Sequence, residues 1–210
     1  GSGIDLARFA PVPRKEGSAG PFTFLLVGRL LWQKGVREYV EAARLVRREA
    51  PDTRFRLLGF LEAANVSAVG RNEVDEWQAE GLIDYLGDAD DVRSHVAVAD
   101  CVVLPSYREG LPRALLEGAA MAKPLIATDV PGCRQVVEHE INGLLCKARD
   151  AGSLAEAMLA MIRTSEESRS AMGAAGRARV ERDYGEEQVV AAYLRALNEA
   201  TAGNNRISRR

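Results

Sequence analysis

The 210-residue chain is 47% hydrophobic and 28% charged, which excludes a disordered protein and leaves room for one ordinary domain or two small ones. A formal charge of -2 with a pI near 5.9 excludes a general field for attracting nucleic acid, so any bound anion must be held by a few placed groups. The longest apolar runs, such as 24–27 and 101–104, fall well short of the roughly 20 residues a membrane span needs.

After an opening rich in Pro, Gly and Ser (Pro11 to Pro21), Phe22 to Val27 reads as a strand closed by Gly28. Val36 to Arg48 places Val36, Tyr39, Val40, Ala43 and Val46 on one helical face, with Arg and Glu on the other. Thr53 to Leu58 is a second strand ending at Gly59. Asn72 to Glu80 is a helix with Val74 and Trp77 inward, and Ile83 to Leu86 a short strand ending at Gly87. Val92 to Ala99 is a short helix, Cys101 to Leu104 an apolar strand stopped by Pro105, Pro112 to Met121 a helix, and Pro124 to Thr128 a strand. Leu144 to Cys146 is the last strand. Ser153 and Glu156 form a capping box for a helix to about Arg163. Helices at Glu166 to Arg182 and Glu186 to Ala200 follow, and Asn204 to Arg210 is a polar tail expected to be disordered.

This alternation predicts an α/β fold: a Rossmann-like, doubly wound parallel sheet of about six strands with C-terminal helices. The uninterrupted strands at Cys101 and Pro124 suit burial on both faces. No internal repeat is seen. In such sheets ligands sit beyond the carboxyl ends of the strands, which selects the segments after Gly28, Gly59, Gly87 and Pro105. Cys101, Cys133 and Cys146 are odd in number and lack Cys-x-x-Cys spacing, against a disulfide framework or a zinc site. No basic start precedes an apolar run, so a cytoplasmic location is expected. His95 and His139 do not form a metal site. Trp77 reads as packing, whereas Trp32 stays open between a rim contact and local packing.

The segment Ser106-Tyr-Arg-Glu109-Gly110-Leu111-Pro112-Arg113-Ala-Leu-Leu-Glu117 carries the chemistry. Gly110 permits a sharp turn, Pro112 suits a first helical position, and the amides of the next turn face outward at the positive end of the helix dipole. That is a seat for phosphate oxygens. Glu109 and Glu117 flank it, and carboxylates accept hydrogen bonds from paired sugar hydroxyls. Arg29 and Lys34, after the first strand, supply the cations that let a diphosphate approach them. Taken singly, each residue is more often a solvated charge. Together they support a site for a phosphorylated ligand.

Glu109-Gly-Leu-Pro-Arg-Ala-Leu-Leu-Glu117 resembles the E-x7-E motif of the family-4 retaining glycosyltransferases of GT-B fold. Val27-Gly28-Arg29-Leu30 with Gln33-Lys34-Gly35 resembles that family's first βα loop, and Tyr85-Leu86-Gly87 its base-pocket strand. Asp100-Cys-Val-Val-Leu-Pro-Ser106, Pro124-Leu-Ile-Ala-Thr-Asp-Val-Pro-Gly132 and Asn142-Gly-Leu-Leu resemble the flanking elements. The likeness spans about residues 1–200. Phe60 departs from the family's Gly-x-Gly turn, and Gly110 stands where many members carry a bulkier residue.

The resemblance implies the nucleotide-sugar-binding half of a two-domain enzyme. Residues 1–21 would be the interdomain linker, 22–200 the binding domain and 201–210 the tail, with the N-terminal acceptor domain absent. Tyr184 or Tyr193 would then be unusually exposed, and the fragment alone inactive. Arg29, Lys34, Gly110, Leu111 and Arg113 would hold the diphosphate, Glu117 the ribose, Leu86 and Gly87 the base, and Glu109, as the catalytic carboxylate, the donor sugar. The donor would be a UDP-sugar, with retention and without a metal or other cofactor. The acceptor would be a lipid-linked saccharide of lipopolysaccharide or capsule synthesis, reached at the cytoplasmic face of the membrane. Alternatives are a nucleotide-sugar-binding module without transfer activity, or a GT-B-fold epimerase or phosphorylase.

Overall fold

The computed structural model describes residues 3–13, 20–62, 65–191 and 193–195. Strand β1 (Thr23–Val27) is buried at every position, and the other strands are laid out around it. The chain continues through a 3-10 turn at Trp32–Lys34, α1 (Val36–Glu49), β2 (Arg54–Leu58), α2 (Arg71–Ala79), β3 (Asp84–Tyr85), α3 (Arg93–Val98), β4 (Cys101–Leu104) and α4 (Arg113–Ala120). It then forms β5 (Leu125–Thr128), α5 (Pro131–Val136), β6 (Gly143–Cys146), α6 (Ala151–Arg163) and α7 (Glu166–Asp183), with further helical residues at 186–191 and 193–195. The six strands form one sheet in the order β3-β2-β1-β4-β5-β6, parallel throughout.

Period-two alternation splits the apolar strands between two cores. Phe24, Leu26, Cys101 and Val103 face the α1, α2 and α6 side with Tyr39, Val74 and Met158. Leu25, Val27, Val102 and Leu104 face the side of α3, α4, α5 and α7 with Val96, Leu116, Val136 and Val180. Burial on both faces explains why these strands read as unbroken apolar runs. All three cysteines are buried free thiols. Among the described residues no helix is long and apolar enough to cross a membrane.

The opening segment belongs to the second core. Ile4 and Phe9 are buried there, Ile4 N–H donates to the Tyr184 carbonyl (2.9 Å), and the Arg177 guanidinium donates to the carbonyls of Leu6, Phe9 and Ala120.

Several local expectations are corrected. Asp150, not Ser153, caps α6: its carboxylate accepts the Ser153 N–H at 2.8 Å. The helix therefore starts three residues earlier, where Asp is as good a cap as Ser. Pro112 is the cap residue of α4, with extended backbone, rather than its first helical residue. Helix α5 was not anticipated; its six residues are too few to show a period. Tyr184 is not an exposed residue: it packs against the second core and its hydroxyl donates to the Gln135 carbonyl (2.9 Å). Tyr193 is 58% exposed, as are Val190 and Leu194 at 56% and 55%. Gly1, Ser2 and the tail at 201–210 lie outside the described residues.

Gly35 joins the two halves of the sheet. Its φ of 74° is left-handed, and a methyl group on it would strike the Pro105 carbonyl beyond β4. Gly35→Ala is therefore expected to cost about 2–4 kcal/mol, from the left-handed backbone and overpacking together. Urea unfolding should show the midpoint falling with an unchanged slope.

Candidate functional site

The strand order reverses between β1 and β4. The helices that follow them pack on opposite faces of the sheet, so the two connecting loops part and leave a crevice at the carboxyl ends. A cavity of about 690 Å³ also opens beside Thr23, Arg54, Asp100 and Pro124, at the amino ends of the strands and away from the crevice.

Lys34 and Glu109 come from the two sides of this reversal. Lys34 Nζ lies 2.5 Å from Glu109 Oε1, with the side chains only 22% and 10% exposed. Ser106 Oγ donates to the same oxygen at 2.6 Å. A carboxylate so far out of water requires such partners, and a charge-assisted pair is the effective one. The Ser106 carbonyl in turn accepts the Thr128 hydroxyl. Gly132 opens α5 hard against this loop, since a methyl there would strike the carbonyls of Glu109 and Gly110.

Glu117 is buried on α4, 9% exposed. Its partner Arg113 approaches one turn away at 3.3 Å, but Arg113's side chain is 59% exposed, and an ion pair with one end in solvent contributes roughly 0–1 kcal/mol. Burial dominates: it raises the Glu117 pKa above the ordinary value, against the opposing pull of Arg113. The N–H groups of Leu115 and Leu116 both donate to the Pro112 carbonyl. Those of Arg113 and Ala114 lie in the first turn, where no intrahelical carbonyl is available.

The remaining expected residues sort differently. Arg29 extends into solvent, 62% exposed, with its guanidinium 3.8 Å from Glu62 rather than in the Lys34–Glu109 cluster. Leu86 N–H donates to the Leu57 carbonyl, and the Gly87 carbonyl accepts the Gly59 N–H. Gly87 has φ 76° and open space around its Cα. Leu111 packs against the second core. Gly110 has no left-handed backbone, and a methyl there would meet nothing, so the turn does not demand glycine. Trp32 is a packing residue, edge-on to Trp77 at 6.3 Å and covered by the Arg37 guanidinium at 4.8 Å.

Sequence reasoning missed Ser106, Tyr107, Thr128, Gly132 and the buried Glu38. Ser106 and Tyr107 were within reach, three and two residues before Glu109. Thr128, Gly132 and Glu38 meet the site only through tertiary packing.

Residues 21–164 match the family described as Glycosyl transferases group 1. The chain belongs to that family. It is 30% identical over 164 residues to the N,N'-diacetylbacillosaminyl-diphospho-undecaprenol alpha-1,3-N-acetylgalactosaminyltransferase of Campylobacter jejuni, covering 73% of this chain and 42% of that one. It is 29% identical over 168 residues to the UDP-Gal:alpha-D-GlcNAc-diphosphoundecaprenol alpha-1,3-galactosyltransferase of Escherichia coli, covering 75% and 43%. The chain thus spans less than half the length of these two group 1 relatives. Among solved structures it superimposes on sucrose-phosphate synthase from Thermosynechococcus elongatus with a TM-score of 0.81 at 23% identity, over 96% of this chain and 52% of that one. The C-terminal domain of the group 1 protein LpcC from Francisella tularensis matches over 99% of its length and 87% of this chain, with a TM-score of 0.70 at 23% identity. These likenesses show the fold.

The raised Glu117 pKa has a sign. Folding favours the neutral acid, so its contribution to stability is full below the ordinary carboxylate range and is lost as pH rises through the raised folded value. Glu117→Gln is therefore expected to melt above the parent at pH 7, with the gap closing in acid. Melting curves from pH 4 to 8 check this, and an unchanging gap would contradict the burial argument.

Proposed function

We propose that this chain binds a nucleoside-diphosphate sugar, with UDP as the nucleotide, and serves as the donor-binding part of a retaining glycosyltransferase that acts on a lipid-linked saccharide. The observation that carries the reading is the Lys34–Glu109–Ser106 cluster at the strand reversal, beside the amino end of α4. One ammonium there neutralises a carboxylate four residues before α4, whose first-turn amides would carry phosphate oxygens. The names of the two bacterial relatives, one with UDP-Gal and both with a diphospho-undecaprenol-linked acceptor, support the donor and acceptor classes.

In this reading the diphosphate lies between Lys34 and the amides around Gly110 to Arg113, and Arg29 swings in from solvent to complete its neutralisation. Glu117 takes the ribose hydroxyls, and Leu86–Gly87 line the base, where the bare Gly87 leaves room for a ring. Glu109, held by Lys34 and Ser106, presents its second oxygen to hydroxyls of the donor sugar. As the glycosidic bond to phosphate breaks, negative charge grows on the leaving diphosphate, and Lys34, Arg29 and the helix amides stabilise it electrostatically without a metal ion.

Calorimetry with UDP, UMP and GDP tests this on the chain itself. UDP should bind more tightly than GDP. Glu117→Ala and the Arg29→Ala/Lys34→Ala double variant should each lose at least about tenfold in UDP affinity, the scale of hydrogen bonds to charged groups; both should remain folded at the assay temperature, the double variant melting below the parent because Glu109 loses its ammonium. Parental affinity in both variants would overturn the assignment.

A further inference from the structure

Glu38 is a carboxylate 8% exposed in the first turn of α1, with no cationic partner within ion-pair distance among the described residues. The polar face predicted for α1 would put it in water. What takes the place of water is Tyr107, whose hydroxyl lies 2.7 and 2.9 Å from the two Glu38 oxygens. Tyr107 sits between Ser106 and Glu109 in the β4–α4 loop, and its N–H donates to the Gln33 carbonyl, in the turn that carries Lys34, at 2.9 Å. The Arg149 guanidinium covers the Tyr107 ring at 4.6 Å, from a residue with left-handed backbone, φ 59°. One side chain thus ties the Glu109 loop to α1, while its backbone ties the same loop to the Lys34 turn.

We infer that Tyr107 and Glu38 are positioning residues for donor binding: the Tyr107–Glu38 hydrogen bonds, with the Tyr107–Gln33 contact, hold Lys34 and Glu109 in one geometry before the ligand arrives. This rests on the donor-site reading above. It explains why a buried carboxylate is kept without a counter-ion. The Glu38 oxygens accept from the phenol, and the phenol holds its proton firmly: burial and then the Glu38 bond push the Tyr107 pKa up to about 12. The phenol accordingly remains the donor across the neutral range. Pre-ordering removes the cost of fixing two loops on binding, and that cost falls on ligands that use both loops. A nucleoside monophosphate, held by base and ribose at Leu86–Gly87 and Glu117, uses them least.

The test compares Tyr107→Phe, Glu38→Ala and the double variant with the parent. Tyr107→Phe keeps the ring and its Arg149 stack and deletes only the hydroxyl. Hydrogen exchange of the ligand-free proteins is read first: amides at 32–35 and 106–111 should exchange at least tenfold faster in each variant, with the amides of β1 and β4 unchanged. Calorimetry is read second: UDP affinity should drop about tenfold while UMP affinity stays within twofold. The double variant should match either single, because both lesions break one interaction. Unchanged exchange in the two loops, or equal losses for UMP and UDP, would overturn the inference. If exchange responds as expected but the parent binds neither nucleotide, the donor-site reading falls and the latch between the loops stands.

Discussion

A carboxylate one-tenth exposed sits at the seam where the strand order reverses, and it persists because an ammonium and a hydroxyl meet the same oxygen. Glu109, Lys34 and Ser106 are this seam's chemistry. Removing one partner leaves charge in a poorly solvated place, and a charge of that kind is costly unless it is paired. The pairing works only if the loops after β1 and β4 hold a fixed spacing. Much of the local structure serves that spacing: left-handed Gly35 against the Pro105 carbonyl, Thr128 on the Ser106 carbonyl, Gly132 against the loop at Glu109 and Gly110, and Tyr107 fastened to Glu38 and Gln33.

The two acids of the E-x7-E segment occupy different environments, although both lie near the amino end of α4. Glu109 is paired by side chains from two elements, whereas Glu117 has one partner with its charge largely in solvent. Pairing holds the first, whereas burial decides the second and raises the proton affinity of Glu117. A carboxylate that is buried, weakly compensated and beside a helix amino end is poised to gain from a hydroxyl donor, because a ligand supplies the hydrogen bonds that water no longer does.

Much of the architecture was legible because period and punctuation agree. Phe24, Leu26 and Leu25, Val27 divide between two cores, and their unbroken apolarity could only mean burial on both sides. Gly28, Gly59 and Gly87 mark the ends of three adjacent strands, and the chain stitches those ends together by backbone hydrogen bonds. Where local signals were ambiguous, the reading slipped. Asp150 and Ser153 are both good caps, and only the geometry of the preceding loop selects Asp150. Tyr184 looked like a residue awaiting a partner, but the opening segment around Ile4 packs beside it within this chain.

By itself the sequence determined the alternating elements, the carboxyl-end loops as the place for a ligand, and Lys34, Glu109 and Glu117 as residues of note, since all of these depend on short-range spacing and on a general rule of parallel sheets. Tertiary structure decided which of those charges meet. Arg29 and Lys34 are five residues apart and look equivalent on paper, yet one turns to Glu62 in solvent and the other to Glu109 in the seam. Glu38 reads as a solvent-facing helix charge, and only the arrival of Tyr107 from 69 residues away makes it a buried acceptor. A hydrogen bond depends on position to within a fraction of an ångström, and that precision is set when distant loops pack together.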